Sequence, residues 1–565
     1  MTDRNTPFVT ALVRSLARLG VGHACITPGS RNTPLSLAFA AEDAIADWSH
    51  HDERSSAFFA LGIAVTTGTP VAVVTTSGTA AAELLPAAVE AAASGVPLLL
   101  LTADRPAALF DVGAPQTVDQ RDMFGRTVRW SHDLEPWEGE LGRVAALAAR
   151  LVAEATGARP GPVHLNLRLD EPLTPAGPPT DTAATPPIVV TAAPRVGDDR
   201  AATMAEGLAG RRGIVVAGPS RDPGLADAAA AFADAAGWPV HADALSGLRS
   251  GPHDRSRFLE AGDQLAWAGF WDAAPPEVVV RVGAVPTSKA VWQWLEAHRE
   301  VPQLLIDPWG WHDPTASAST VLRADPVAAL HLLAGSIETA VDPAWAERWG
   351  AADDAAVAAI GAAMASHPFP TEPAIARTVG AALPDGAVLW AASSMPVRDV
   401  DGFLAGSDRA LRVMANRGAN GIDGTVSTAL GSAAAGGAPT YLLTGDLALL
   451  HDLTALAAAA RLEVDLTVVV VDNDGGGIFH FLPQAGHEHF ERHFGTPHGL
   501  DLVAAAAGLG VPADHVATAG DLTAAVATPP AGPRLLHLRT DRHDNVRVHR
   551  EITDAVRQAI GIQGH

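Results

Sequence analysis

The sequence predicts an α/β protein made of three doubly wound parallel-sheet domains in series, and three observations lead there. Short, wholly apolar runs alternate with amphipathic helical stretches, the pattern of βαβ units whose sheet is covered on both faces. Two proline-rich breaks divide the chain, one with six prolines between Pro172 and Pro187 and one reading HPFPTEP at 367–373. The chain has 565 residues, 48% of them hydrophobic and only 18% charged, which is enough to fill several cores of ordinary domain size.

Taken in order, HACIT (23–27), VAVVTT (71–76), PLLLLTA (97–103) and PVHLNL (162–167) read as the strands of a first domain, residues 1–185. GIVVAG (213–218), EVVVRVG (277–283) and PQLLID (302–307) serve a central domain, residues 186–345. AVLWAAS (387–393), TYLLTGD (440–446), LTVVVVDN (466–473) and PRLLHLRT (533–540) serve a third, residues 346–565. The proline-rich stretch at 172–187 favours extended, unpacked backbone and reads as a linker. An Ala-rich helical run at 344–365 precedes the second break. The central segment opens like a nucleotide-type strand and turn, but no GxGxxG fingerprint follows, so a structural or subunit-bridging role is expected there.

Composition narrows the function. There are 39 basic and 63 acidic residues, a formal charge of −24, and no Lys/Arg-rich run, which argues against a nucleic-acid or anionic-membrane partner. The most apolar stretch, 80–101, is broken by Glu83, Pro86, Glu90 and Pro97, whereas a membrane span wants about 20 apolar residues. The single cysteine, Cys25, excludes an internal disulfide or a CxxC metal site and fits a reducing compartment, with the cytoplasm as the expected location. The one lysine, Lys289, stands out among arginines.

Ligands of open α/β sheets bind beyond the carboxyl ends of the strands, so the loops that follow them are where chemistry belongs. Asp446 ends one apolar strand and Asn473 ends the next, 27 positions later, followed by Gly475, Gly476 and Gly477. Either piece alone reads as a helix cap or a turn. Together, a carboxylate, an amide oxygen and the Gly475 carbonyl make a hard-oxygen set suited to Mg²⁺. The glycines would let backbone and helix N-termini approach a diphosphate.

The Gly445-Asp446 pair with Asn473 downstream resembles the diphosphate-binding motif of the thiamin diphosphate enzymes, with Leu447 where many members carry a second glycine. The three-unit layout resembles their pyrimidine-binding, central and diphosphate-binding domains. Longer strings resemble the branch that joins 2-oxoglutarate to isochorismate in menaquinone biosynthesis: ITPGSRNTPLSLA (26–38), LTADRP (101–106), GAPQTVDQ (113–120), SSMPVRD (393–399) and NRGANGIDGTVSTALG (416–431). The neighbouring branch, 2-oxoacid carboligases of acetolactate-synthase type, would keep the cofactor residues without requiring the arginines.

The resemblance implies thiamin diphosphate with Mg²⁺ or Mn²⁺, the metal held by Asp446, Asn473 and Gly475. It implies that Glu53, in WSHHDERSSAFFALG (48–62), is the catalytic glutamate hydrogen-bonded to the aminopyrimidine ring. Ile422 would support the bent cofactor, Gly476 would lie along its diphosphate, and Ile478, Phe479 and Leu482 would wall the reacting centre from water. The two substrates carry four carboxylates, and the motif positions nominate Ser30, Arg31, Arg105, Gln116, Lys289, Ser394, Arg398 and Arg417 to bind them, with Asn420 as a neutral donor. Ser288 stands where a basic residue is expected. The family pattern places the cofactor between subunits, which implies a homodimer with shared sites and, beyond it, a homotetramer.

Overall fold

The computed structural model describes residues 3–137, 139–175, 184–192 and 194–562, so the middle of the expected linker, 176–183, lies outside the described residues. Three six-stranded sheets follow one another, and every strand pairing in them is parallel.

The first sheet holds β1 (His23–Ile26), β2 (Ala46–Ser49), β3 (Val71–Thr75), β4 (Leu98–Asp104), β5 (Ser131–Leu134) and β6 (Val163–Arg168), in the order β2-β1-β3-β4-β6-β5. The second holds β7 (Gly213–Ala217), β8 (Val240–Ala242), β9 (Phe258–Leu259), β10 (Val278–Val282), β11 (Gln303–Ile306) and β12 (Thr320–Leu322), ordered β12-β11-β10-β7-β8-β9. The third holds β13 (Val388–Ala391), β14 (Arg412–Met414), β15 (Thr440–Gly445), β16 (Leu466–Asp472), β17 (Ala513–His515) and β18 (Arg534–Arg539), ordered β14-β13-β15-β16-β18-β17. Counted from its own first strand, the third sheet repeats the order of the first. The second instead has the order of dinucleotide-binding sheets, 3-2-1-4-5-6, without their glycine fingerprint.

Every strand expected from an apolar run is present. The strands that the apolar pattern does not announce are short, and all but β8, which lies between β7 and β9, are at sheet edges, where a strand need not be apolar on either face.

The first and third domains share one core. The helix Glu53–Thr67 is buried all round from Ser55 to Ala64, as expected of a helix apolar on every side, and it packs against the helix Thr425–Gly436. Two glycines set the separation. A Cβ on Gly62 would stand 1.9 Å from the carbonyl oxygen of Thr428, and one on Gly431 would stand 2.0 Å from that of Phe59. Phe58, Phe59, Val73 and Leu100 of the first domain thereby join Val426, Leu430, Trp390 and Val468 of the third in one continuous cluster.

The core around the second sheet draws in helices from farther along the chain. Trp345, Trp349 and Ile360 of the helix Ala344–Ala365, and Val548, Ile552 and Val556 of the final helix Arg542–Ala559, all belong to it. Among the described residues no helix is long and apolar enough to cross a membrane.

Candidate active site

In the third sheet, β15 and β16 run side by side with Gly445 in register with Val471, so Asp446 and Asn473 leave the same edge at adjacent strand ends. Asp446 is buried at the start of the helix Asp446–His451. Its Oδ1 accepts from the Leu447 N–H at 2.6 Å and its Oδ2 from the Gly475 N–H at 2.8 Å. Burial pushes its carboxyl above the ordinary value, and these two N–H groups pull the other way. The side-chain nitrogen of Asn473 donates to Glu372 Oε1 at 2.8 Å, while its Oδ1 is buried without a hydrogen-bond partner among the described residues. A buried, unmatched amide oxygen beside a buried carboxylate is a donor set that fits a hard divalent cation.

Three side chains that the sequence did not nominate complete this corner. Glu372 fixes the orientation of the Asn473 amide. Burial and the nearby Asp399 push the Glu372 carboxyl up to about 8, against the hydrogen bonds from Asn473 and Thr540. His498 Nε2 lies 3.2 Å from Asp446 Oδ2. Asp472 meets His537 at 2.8 Å and Arg539 at 2.8 Å; burial resists its charge, but these partners and the Asp474 N–H outweigh it and hold the carboxyl at about 2. The only sequence signal for any of the three was the acidic run around Asn473.

The glycine turn has a different local reason from the expected one. The place of a Cβ on Gly475 is filled by the Gly495 carbonyl at 1.9 Å, and on Gly476 by the Phe494 carbonyl at 2.1 Å. The turn needs glycine because the 494–495 backbone backs onto it. Ile478, Phe479 and Leu482 follow, half-buried, in and just after one turn of 3₁₀ helix, and Ile422 is also half-buried.

In the first sheet the strand order reverses between β1 and β3, and the loops there touch: a Cβ on Gly29 would stand 2.3 Å from that of Thr76. Ser30 and Arg31 follow β1, Arg105 follows β4, and Gln116 is latched to the loop after β3 by exchanging hydrogen bonds with Ser77 at 2.9 and 3.1 Å. Arg31 is buried, donating to the Leu169 carbonyl at 2.9 Å. Its guanidinium is pulled below the ordinary value by burial and then by Arg105. Glu53 opens its helix just beyond β2, with Asp52 as the cap accepting from the Ser55 N–H at 3.1 Å.

Arg398 and Arg417 repeat that pairing in the third domain. Burial lowers both, and Arg417 is the next largest influence on Arg398. Ser394, at a φ of 82°, begins the helix that carries Arg398 and gives it a carbonyl acceptor. Two pairs of partly desolvated, mutually repelling guanidinium groups are each suited to an incoming carboxylate.

One chain gathers only part of this set in one place. Arg398, Arg417, Asn420 and Lys289 line a cavity of about 1350 Å³ between all three domains, which neither Glu53 nor Asp446 lines. Ser288 is the cap of the helix Lys289–Ala297 and donates to Asp263 at 2.5 Å, while Lys289 is exposed beside it. Ser30, Arg31, Arg105 and Gln116 form a second group, and Asp446, Asn473 and the glycine turn a third.

The chain resembles known proteins along almost its whole length. Residues 7–123 match the thiamine pyrophosphate enzyme N-terminal TPP binding domain, and residues 403–537 match the C-terminal TPP binding domain. A solved structure of a chain from Mycobacterium smegmatis, assigned to the thiamin diphosphate-dependent enzymes, superposes with a TM-score of 0.71 at 22% identity, covering 96% of this chain and all of that one. Proteins named 2-succinyl-5-enolpyruvyl-6-hydroxy-3-cyclohexene-1-carboxylate synthase are similar from end to end. The one from Myxococcus xanthus is 44% identical over 99% of this chain and 98% of its own. Those from Haloarcula marismortui and Geobacillus thermodenitrificans are 42% and 41% identical over 98% and 99% of this chain and 98% of their own. With relatives of this similarity over nearly its full length, the chain belongs to the 2-succinyl-5-enolpyruvyl-6-hydroxy-3-cyclohexene-1-carboxylate synthase family of thiamine pyrophosphate enzymes.

Proposed function

We propose that this chain decarboxylates 2-oxoglutarate and adds the resulting four-carbon unit to isochorismate, releasing CO₂, as the reaction of its family in menaquinone biosynthesis. The observation that carries the reading is the buried pair of Asp446 and Asn473 at adjacent strand ends, in a chain whose full-length relatives bear the synthase name. Thiamin diphosphate, when bound, supplies the carbon nucleophile and the electron sink that make loss of CO₂ from a 2-oxo acid feasible.

The protein's own residues do the rest. Asp446, Asn473 Oδ1 and the Gly475 carbonyl hold a divalent ion, Mg²⁺ or Mn²⁺, against the diphosphate, with Gly476 beside it. Glu53 holds and returns a proton at the aminopyrimidine ring. Ile422 shapes the cofactor site, and Ile478, Phe479 and Leu482 exclude water from the reacting carbon. The pairs Arg31/Arg105 and Arg398/Arg417, with Ser30, Gln116, Ser394 and Lys289, position the substrate carboxylates.

The protein works in the cytoplasm as a homodimer in which Glu53 of one subunit faces Asp446 of the other, and two dimers form a tetramer. Two features support the shared site: Glu53 and Asp446 stand outside the large cavity of the single chain, and Leu85 and Val89 are exposed beside an apolar groove lined by Phe58, Pro86 and Gly421.

The decisive experiment measures CO₂ release from 2-oxoglutarate with thiamin diphosphate and Mg²⁺, with and without isochorismate, for the wild type and Glu53→Gln. Isochorismate consumed in step with CO₂, and an inactive variant, is the expected result. CO₂ formed regardless of isochorismate, or only from pyruvate, would reassign the chain to another 2-oxoacid carboligase.

A further inference from the structure

Beyond the glycine turn the chain brings together three side chains that the proposed reaction leaves unused. His480 lies in the 3₁₀ turn Gly477–Phe481, Glu491 opens the short helical turn Glu491–Gly495, and His543 sits at the start of the final helix. One ligand atom from each lies within 4.8 Å of the other two. The imidazole rings of His480 and His543 meet edge to face with centroids 4.4 Å apart. Nε2 of His480 is buried and has no hydrogen-bond partner among the described residues, an unfavourable state for a buried polar atom unless a ligand offsets it.

Two imidazoles and a carboxylate are the donors of a borderline transition ion such as Zn²⁺ rather than of Mg²⁺, which selects oxygen. Ligands of tetrahedral zinc at 2.0–2.1 Å stand about 3.4 Å apart. Glu491 and His543 are exposed, so the His543 ring can rotate to close that gap, and water can fill the fourth position. Arg542 holds Glu491 Oε2, leaving Oε1 as the ligand atom. The positive charge of Arg542 is offset nearby by Asp541, and both act on His480 alongside Glu491 and His543.

We propose that His480, Glu491 and His543 form a binding site for a Zn²⁺-class ion, separate from the oxygen-donor site at Asp446 and Asn473. Such an ion would staple three segments. His480 stands between Phe479 and Leu482 of the apolar wall. Glu491 begins the turn whose Gly495 carbonyl accepts from the Gly476 N–H at 2.8 Å. His543 ties both to the helix that closes the central core. Binding would therefore brace the wall from behind without touching the diphosphate residues.

The test uses the full-length protein saturated with thiamin diphosphate and Mg²⁺. Co²⁺ is added and followed by visible absorption, and Zn²⁺ affinity is measured by competition with a chromophoric chelator. The wild type should take up one Co²⁺ per chain with bands of an imidazole-ligated ion, and Zn²⁺ should displace it. His543→Gln, at an exposed position, should weaken Zn²⁺ binding about tenfold or more, and Glu491→Gln should do the same. His489 and His493 lie one turn apart, with the His493 N–H donating to the His489 carbonyl, and they offer a rival surface pair. The double variant His489→Gln/His493→Gln should leave the affinity unchanged, as should Asp446→Asn. Equal affinity in His543→Gln and wild type, or loss of uptake in either of the last two variants, overturns the proposal.

Discussion

The Glu90 carboxylate of the first domain accepts the Gly418 N–H at 2.8 Å, across the seam to the third. The same carboxylate takes the Ala419 N–H at 2.6 Å and the Ser94 hydroxyl at 2.6 Å. A Cβ on Gly418 would strike Ser94 and the Glu90 carbonyl, so the loop bearing Arg417 is both clamped and fitted. Glu90→Ala leaves two backbone donors unmatched and should lower stability by about 2 kcal/mol. It should also raise KM for the substrate held by Arg417 about tenfold, with cofactor affinity nearly unchanged. Steady-state kinetics together with a thiamin diphosphate titration checks the split, and a parallel loss of cofactor binding would contradict it.

The arginine pairs give a second prediction. Arg105→Ala and Arg398→Ala each remove one member of a pair whose partner is partly desolvated. KM for 2-oxoglutarate or isochorismate should rise about ten- to a hundredfold, equivalent to roughly 1.4–2.7 kcal/mol of lost carboxylate binding. Fluorescence titration with thiamin diphosphate should be nearly unaltered. Equal loss of cofactor affinity in both variants would remove these arginines from the substrate site.

Packing across the same seam can be tested with glycines of opposite surroundings. Gly62→Ala and Gly431→Ala each force a methyl into a backbone carbonyl of the facing helix and should destabilise by about 1–3 kcal/mol. Gly361, inside the helix Ala344–Ala365, has no atom of the other described residues within 4 Å of its would-be Cβ beyond its own helix backbone. Gly361→Ala should instead gain about 0.5–1 kcal/mol of helix stability. Thermal midpoints that shift the same way in all three would show that the close approach of the two helices is not what the glycines serve.

Asp452 makes the seam sensitive to pH. It is buried, accepts from the Ser427 N–H at 2.6 Å and the Ser427 hydroxyl at 2.9 Å, and receives the Ser55 hydroxyl from the first domain at 3.3 Å. Burial pushes its carboxyl from the ordinary 3.8 up to about 6, against those hydrogen bonds. Between these two values the folded protein keeps a proton that the unfolded chain has lost. The stability this group contributes is therefore full below about pH 4 and is lost as pH rises through about 6. Asp452→Asn should leave the thermal midpoint near pH 4 unchanged and raise it near pH 7.5. A midpoint lowered equally at both pH values would refute this account.

How much of this could be read in the sequence follows from range. VAVVT at 71–75 is buried at every position and declares itself a central strand, whereas ADWS at 46–49 is mostly exposed and becomes a strand only by pairing with β1. Asp446 and Asn473 were legible because a short crossover of two helices, Asp446–His451 and Thr454–Leu462, separates two apolar strands, which fixes their neighbourhood. Glu372 was not, since it reaches Asn473 from 101 residues away and a lone glutamate inside a proline-rich break has no local pattern. His498 was hidden in the same way, as its link to Asp446 exists only once the chain has turned back beyond the glycines. The glycines themselves were found for one reason and are required locally for another, because the 494–495 backbone that crowds them is invisible in a linear reading.

The core around the second sheet has a temporal consequence for the living cell. Val548, Ile552 and Val556 come from the last helix of the chain, so a ribosome that has finished the sixth strand of that sheet has not yet made everything its core requires. Domains made earlier generally fold first as units, and the first sheet has one apolar cluster, with Phe8, Leu12 and Leu35, that draws on its own domain alone. The central domain must wait, with part of its apolar surface uncovered, until the helix Arg542–Ala559 has been made. Truncation at the C-terminus should therefore be felt in the middle of the protein, and a nascent chain stalled before Arg542 should be a better chaperone client than its length alone suggests.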